Sequence, residues 1–237
     1  MSAPKVLVVL TSHDKLGDTG KPTGWYLSEL AHPFAVFTSH NFAITLASPQ
    51  GGSAPLDPSS IDAAADDPIS RTFHSEQSAL WESTVPLASL LNRGVANQFD
   101  AIFFPGGHGP MFDLAVDPVT QALVAEFVAA DKVVAAVCHG PAALVGVTVG
   151  GEGTPFLRGK VVTGFSAEEE REVGADGAVP FVLEERLVEL VGPEGRYEKA
   201  AEKWGEKVVV DGKLITGQNP ASAKGLAEEI VKAVAGK

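Results

Sequence analysis

Cysteine is the scarcest reactive residue in this chain: Cys138 stands alone. A single cysteine excludes an internal disulfide and fits a reducing compartment. No histidine follows His139, which excludes any nucleophilic triad with a late histidine. Basic residues are outnumbered, 18 against 30 acidic, for a net charge of −12. That balance disfavours nucleic acid and anionic membranes as partners, and reads otherwise as a solvated acidic surface. No apolar run reaches the roughly eighteen residues of a membrane span. Met1 to Pro4 is too short and too polar to open a secretory signal. No Cys/His/Asp cluster has zinc spacing, and neither a dinucleotide fingerprint nor a Gly-Lys-Ser/Thr phosphate loop is present. No metal and no cofactor is therefore expected.

The 237 residues, 45% hydrophobic, suffice for one sizeable α/β domain spanning 1–237. Apolar runs predict strands at Lys5–Leu10, Asn41–Ser48, Asp100–Phe104, Val133–Val137 and Val161–Gly164, and a hairpin at Val208–Val210 and Leu214–Thr216. Helical spacing predicts helices over Gly24–Phe37, Asp117–Ala130 and Phe181–Val191, with a last helix capped by Asn219 and running to Ala235. Pro33 is expected to kink or end the first of these. Asp117 reads as an N-cap with Pro118 at the first helical position, and Ser166 as the N-cap of an acidic helix start. Residues 53–95 are the least regular part, an insertion with short helices at Phe73–Trp81 and Pro86–Leu91, read equally as functional cover or an interface, or as plain surface. Alternation of strands and helices implies a largely parallel sheet with helices on both faces, with ligands beyond the carboxyl ends of the strands.

Two of those ends carry chemistry. Val133–Val137 runs straight into Cys138-His139-Gly140-Pro141, so the cysteine sits on a sharp corner between a buried strand and a helix start, a placement that lifts a nucleophile above a sheet edge. His139 can move a proton at the atom the sulfur binds, given an acceptor on its other nitrogen; Glu168, Glu169 and Glu170 offer one. Phe104 leads into Pro105-Gly106-Gly107-His108-Gly109, a loop that exposes backbone N–H groups. Those of Gly107 and His139 are candidates to face a developing oxyanion. Glu29, the lone acid of the first helix, is either an exposed-face residue or a catalytic base. His108 is as much a loop residue as a ligand contact, and His13, His32, His40 and His74 read as structural or surface.

The run Ala135–Pro141, with Phe104–Gly109 upstream, resembles the ThiJ/PfpI superfamily, and within it the branch of glutathione-independent glyoxalases and heat-shock-type holding chaperones. Thr23–Leu30 with His32-Pro33-Phe34, Val162–Phe165 and Thr216–Ser222 carry the resemblance along nearly the whole chain. It implies a flavodoxin-like three-layer α/β sandwich of the class I glutamine-amidotransferase type. It implies Cys138 as nucleophile, His139 as its partner, Glu170 as the triad acid, Glu29 as the carboxyl group touching the thiol and Gly107 as an oxyanion donor. It also implies a homodimer in the cytoplasm or nucleus. The downstream His-x-Glu of the glutamine amidotransferases is missing, which argues against that chemistry.

These readings lead to a glyoxalase III-type lyase, a glutathione-independent D-lactate dehydratase. Its substrate would be a small 2-oxoaldehyde such as methylglyoxal, and its product lactate, through a cysteine hemithioacetal and an enediol. The alternatives are a holding chaperone with an exposed apolar patch around Leu80, Trp81 and Val85, and a redox sensor acting through Cys138. Peptidase and deglycase activities are weaker readings of the same site.

Overall fold

The computed structural model describes residues 3–91, 93–150 and 153–236, so the first two residues of the polar start lie outside it. Eleven strands and eight helices are present among these residues. In chain order they are β1 (Lys5–Val9), α1 (Leu27–Ser39), β2 (Ala43–Ser48), α2 (Pro58–Ala63), α3 (Pro68–Glu76), α4 (Ser78–Glu82), β3 (Val85–Pro86), β4 (Ala101–Phe104), α5 (Pro118–Ala129) and β5 (Val133–Val137). They continue with β6 (Thr148–Val149), β7 (Thr154–Pro155), β8 (Val161–Val162), α6 (Ala167–Glu172), α7 (Leu183–Val191), β9 (Arg196–Tyr197), β10 (Val208–Asp211), β11 (Leu214–Gly217) and α8 (Ala223–Ala235).

The central sheet has seven strands in the order β10-β11-β5-β4-β1-β2-β3, parallel except for edge strand β10. This is the flavodoxin-like α/β arrangement. Strands buried on both faces need apolar residues throughout, and β4 and β5 are fully buried along their length. Covering each valine of β5 contributes about 1.5–3 kcal/mol.

From β1 the chain moves to β2 on one side, whereas from β4 it moves to β5 on the other. Crossovers of one hand that travel in opposite directions lay their helices on opposite faces. Accordingly α1 packs with α8, and α5 packs against β4 and β5. The reversal falls between β1 and β4, so a crevice opens at their carboxyl ends. The loop after β1, the glycine loop after β4 and the cysteine after β5 all end there.

Several local expectations are corrected. Pro33 lies inside α1 and does not end it; only the Glu29 carbonyl loses its donor, and burial of Leu27, Leu30 and Phe37 carries the helix through. The insertion is more regular than its composition implied. Asp57 and Asp67 each cap a helix that opens on a proline, Pro58 and Pro68. The helix expected at Phe73–Trp81 is divided at Gln77 between α3 and α4. Pro86 joins the sheet edge, and only Leu87–Ser89 turns helically. Trp81 is buried, stacked on Phe73 at 5.4 Å and set edge-on to Trp25 at 5.3 Å. Leu80 and Val85 pack against the same core. Of the expected apolar patch, Trp81 is thus interior, while Leu80 and Val85 stay half-buried.

Two further differences concern the C-terminal half. Val161–Val162 pairs with Arg196–Tyr197 in a separate small sheet. Asn219 does not cap α8 through its side chain, whose amide donates instead to Glu169 Oε1 at 2.8 Å and to the Gly205 carbonyl at 2.9 Å. Asp117 and Ser166 do cap α5 and α6, the latter in a capping box with Glu169. Among the described residues, no helix is long and apolar enough to cross a membrane.

Candidate active site

Cys138 takes φ +60°, left-handed for a residue with a Cβ, a conformation costing about 1–3 kcal/mol that persists only where its surroundings over-determine it. Here its N–H donates to the Gly217 carbonyl at 2.9 Å and its carbonyl accepts from the Phe165 N–H at 2.8 Å. The bend is thus clamped between the end of β11 and the segment after β8. The α-helix expected after it is a 3₁₀ turn, Gly140–Leu144, closed by Ala142 N–H to the His139 carbonyl at 3.0 Å. So short a turn sums little macrodipole. Individual amides act on the sulfur instead: the N–H groups of Gly107 and His139 favour its thiolate form.

His139 is buried beside the cysteine, with Nδ1 at 3.4 Å from Sγ and Nε2 at 2.7 Å from Glu170 Oε2. The three candidate acids take three different parts. Glu168 is exposed and pairs with Lys203 at 3.0 Å. Glu169 is consumed by its cap and by the Gln218 and Asn219 amides, at 3.0 and 2.8 Å. Glu170, one position further round α6, faces the imidazole. Burial opposes its ionisation, but the charge of His139 and hydrogen bonds from His108 and His139 hold it well below the usual carboxylate range. Burial in turn lowers His139, against the pull of Glu170, and favours the neutral ring. A neutral imidazole donating Nε2–H to Glu170 presents a bare Nδ1 to the thiol.

His108 belongs to the same group, an assignment that reading the glycine loop left open. Its Nε2 lies 2.7 Å from Glu170 Oε1, and its ring is 4.3 Å from that of His139. One carboxylate thus receives two imidazoles. The ligand atoms of His108, His139 and Glu170 lie within 4.8 Å of one another, close enough to hold a metal ion. They come from three separate segments, so no local spacing revealed them, and their mutual hydrogen bonds already satisfy the carboxylate.

On the other side of the sulfur lies Glu29, fully buried in the first turn of α1. Of the two readings open for it, the exposed face is therefore excluded. Its Oε2 accepts the Gly106 N–H at 2.7 Å, and its carboxyl group adjoins the Cys138 side chain. Burial pushes its pKa up to about 8. Burial and then the Glu29 charge push the thiol up, against the two amides. Both groups are therefore held toward their neutral forms.

Two glycines are required by this closeness. A Cβ on Gly106 would lie 2.6 Å from the His139 nitrogen and 2.8 Å from both Cys138 Cβ and Glu29 Oε2. Gly107 sits at φ +87°, where a Cβ would meet the Gly24 carbonyl oxygen at 2.2 Å.

Although only 3% exposed, Cys138 lines a cavity of about 480 Å³ with Gly107, His108, His139 and Phe165. The insertion supplies one wall through Asp57, Pro58, Ser59 and Ala63. It is anchored there by Trp25 N–H to the Pro55 carbonyl and Asp57 N–H to the Trp25 carbonyl, each at 2.9 Å. Of its two readings, functional cover is the one this placement favours.

The profile of the DJ-1/PfpI family matches residues 23–233. The chain is 30% identical to the glutathione-independent glyoxalase HSP31 of Saccharomyces cerevisiae, over 99% of each chain. The Rapid Encystment Protein of 24 kDa from Francisella tularensis superposes with a TM-score of 0.88 at 37% identity, over 98% of this chain and 99% of that one. Glyoxalase III from Candida albicans superposes with a TM-score of 0.82 at 30% identity, over 97% of both chains.

Proposed function

The chain belongs to the DJ-1/PfpI family, and on that premise we propose that it is a glutathione-independent glyoxalase, a lyase of the glyoxalase III type. Its substrates are small 2-oxoaldehydes such as methylglyoxal, and its product is the 2-hydroxy acid. One observation carries the reading: a thiol opening on a cavity, flanked by a Glu170-oriented imidazole on one side and by a buried carboxyl group on the other.

The residues divide the work as follows. The Cys138 sulfur forms a bond to the aldehyde carbon while the Gly107 and His139 N–H groups hold the carbonyl oxygen as charge develops on it, worth roughly 3 kcal/mol per donor. The S–H proton passes to His139 Nδ1 and on to that oxygen, giving a neutral hemithioacetal. Glu29 in its carboxylate form then takes the proton from the former aldehyde carbon, the electron pair forms a C=C bond, and the neighbouring carbonyl oxygen takes up that proton to give an enediol. The hydroxyl on the sulfur-bearing carbon then gives up its proton, which returns to the second carbon, yielding a thioester. Water cleaves its C–S bond, releasing the hydroxy acid and restoring the thiol. The net change is addition of one water, with one carbon oxidised and its neighbour reduced. A base whose pKa lies near working pH is suited to the C–H step.

The test is lactate production from methylglyoxal without glutathione by the wild type and by Cys138→Ala. Loss in the variant, with its thermal unfolding transition retained, is expected. Equal output from both proteins would overturn the proposal. The chaperone alternative keeps only Leu80 and Val85 of its patch at the surface, since Trp81 is buried.

A further inference from the structure

The cavity is far larger than a three-carbon aldehyde requires. At about 480 Å³ it falls in the range that encloses drug-sized ligands. Much of its lining away from the sulfur is apolar, with Leu16, Pro22, Phe165, Val173, Trp204 and Pro220 set beside the polar Tyr26 and Ser59. Asp57 is the one acid in the lining, and its oxygens are occupied by Thr23 Oγ1, at 2.9 Å, and by the Ser59 N–H and hydroxyl, at 2.9 and 2.7 Å. Lys21 is exposed at the mouth.

Trp204 is the unusual member. It takes φ +58°, a true outlier for a bulky side chain. Such a conformation persists where surrounding bonds hold it, and here α6 does so. The Trp204 Nε1–H donates to Glu172 Oε2 at 2.7 Å, and the adjacent Lys203 pairs with Glu172 and Glu168 at 2.6 and 3.0 Å. The result is an indole held over the cavity with 40% of its surface uncovered. Its ring meets Phe165 edge-on at 5.6 Å, and Phe165 in turn lies 4.4 Å from His139. An aromatic wall therefore leads from the mouth to the imidazole beside the thiol. Aromatic pairs in offset or edge geometry contribute about 0.5–1.5 kcal/mol beyond area burial.

We propose that this site prefers 2-oxoaldehydes bearing a bulky, flat apolar substituent, with aryl glyoxals as the fitting class, and that Trp204 is the specificity-determining side chain. The proposal rests on the glyoxalase reading above and names its substrate class. The dicarbonyl end occupies the space between Cys138, Glu29 and the two amides. The ring lies along Phe165 and covers the exposed indole face. The reaction is the same internal transfer with addition of water, now giving an aryl hydroxy acid.

The experiment compares kcat/KM for phenylglyoxal and methylglyoxal in the wild type, Trp204→Ala and Trp204→Phe. Binding of the two unreactive products, mandelate and lactate, is measured on the same proteins by calorimetry. The wild type is expected to favour the aryl member of each pair by about tenfold, which corresponds to about 1.4 kcal/mol. In Trp204→Ala both ratios should fall toward unity, mainly through KM of the aryl substrate, and Trp204→Phe should recover most of the preference. Aryl-to-methyl ratios that are unity in the wild type, or that stay unchanged in Trp204→Ala, overturn the proposal. If neither aldehyde is turned over, yet mandelate is preferred and that preference depends on Trp204, the glyoxalase reading fails while the apolar pocket stands.

Discussion

Glu29 presents Oε2 to the Gly106 N–H at 2.7 Å, while its buried Oε1 meets no N–H or O–H donor among the described residues. A carboxylate with one oxygen tied and the other undonated is poorly stabilised as an anion. Burial pushes its pKa up to about 8, with little donation to oppose it, and keeps the group close to a base of useful strength.

The first consequence is kinetic. If the Glu29 carboxylate accepts the C–H proton, kcat/KM for methylglyoxal rises with pH and levels above about 8. Glu29→Gln should lose about 10²–10⁴ in rate, the range typical of a general base, together with that limb. A variant that keeps both the rate and the limb would show that another group takes the proton.

The second consequence concerns stability. The folded pKa of Glu29 is raised from 4.5 to about 8, so the folded state holds a proton that the unfolded chain has released. Stability from this group is complete below pH 4.5 and falls as pH rises through about 8, by at most roughly 5 kcal/mol at 1.36 kcal/mol per pH unit. Glu29→Gln carries no such charge. Its melting temperature relative to wild type should climb between pH 5 and pH 9, as read by calorimetry; a flat difference would contradict the assignment.

Glu170 serves two imidazoles at 2.7 Å each, but only His139 touches the cysteine. Glu170→Ala should therefore cut kcat by about 10²–10⁴ with little change in KM, because the ring loses its tautomer and orientation. His108→Ala leaves the His139–Glu170 bond in place and should cost about tenfold or less. Equal losses would place His108 on the reaction path itself.

Gly106→Ala is a geometric test. The added carbon would press on backbone at His139, on Cys138 Cβ and on the Glu29 oxygen, all within 2.8 Å. Overpacking of this kind costs about 1–3 kcal/mol, so chemical denaturation should show a lower midpoint, and activity should vanish before stability does. Gly212→Ala, with nothing within 4 Å, serves as the surface control despite the strain of its φ of +62°.

The insertion shows how local signals were legible yet incompletely read. Asp117-Pro118 marked the start of α5, and the same pair at Asp57-Pro58 and Asp67-Pro68 marks α2 and α3. These helices were hidden by the Pro, Ser and Asp content around them rather than by any missing cap. Trp81 was harder. Its burial depends on Phe73 from the preceding helix and on Trp25 from before α1, partners that no period along the chain connects.

The order of the main strands and helices, the bend at Cys138 and the candidate set Cys138, His139, Gly107, Glu29 and the acids after Ser166 were legible along the chain, because apolar period, glycine and capping residues act over a few neighbouring positions. Choosing Glu170 among three glutamates on local grounds, drawing His108 onto it, burying Glu29 and hanging Trp204 over the cavity were decided only by the folded molecule. Those outcomes depend on which segments the sheet reversal between β1 and β4 brings together, and distances across the crevice are set by packing rather than by spacing along the chain.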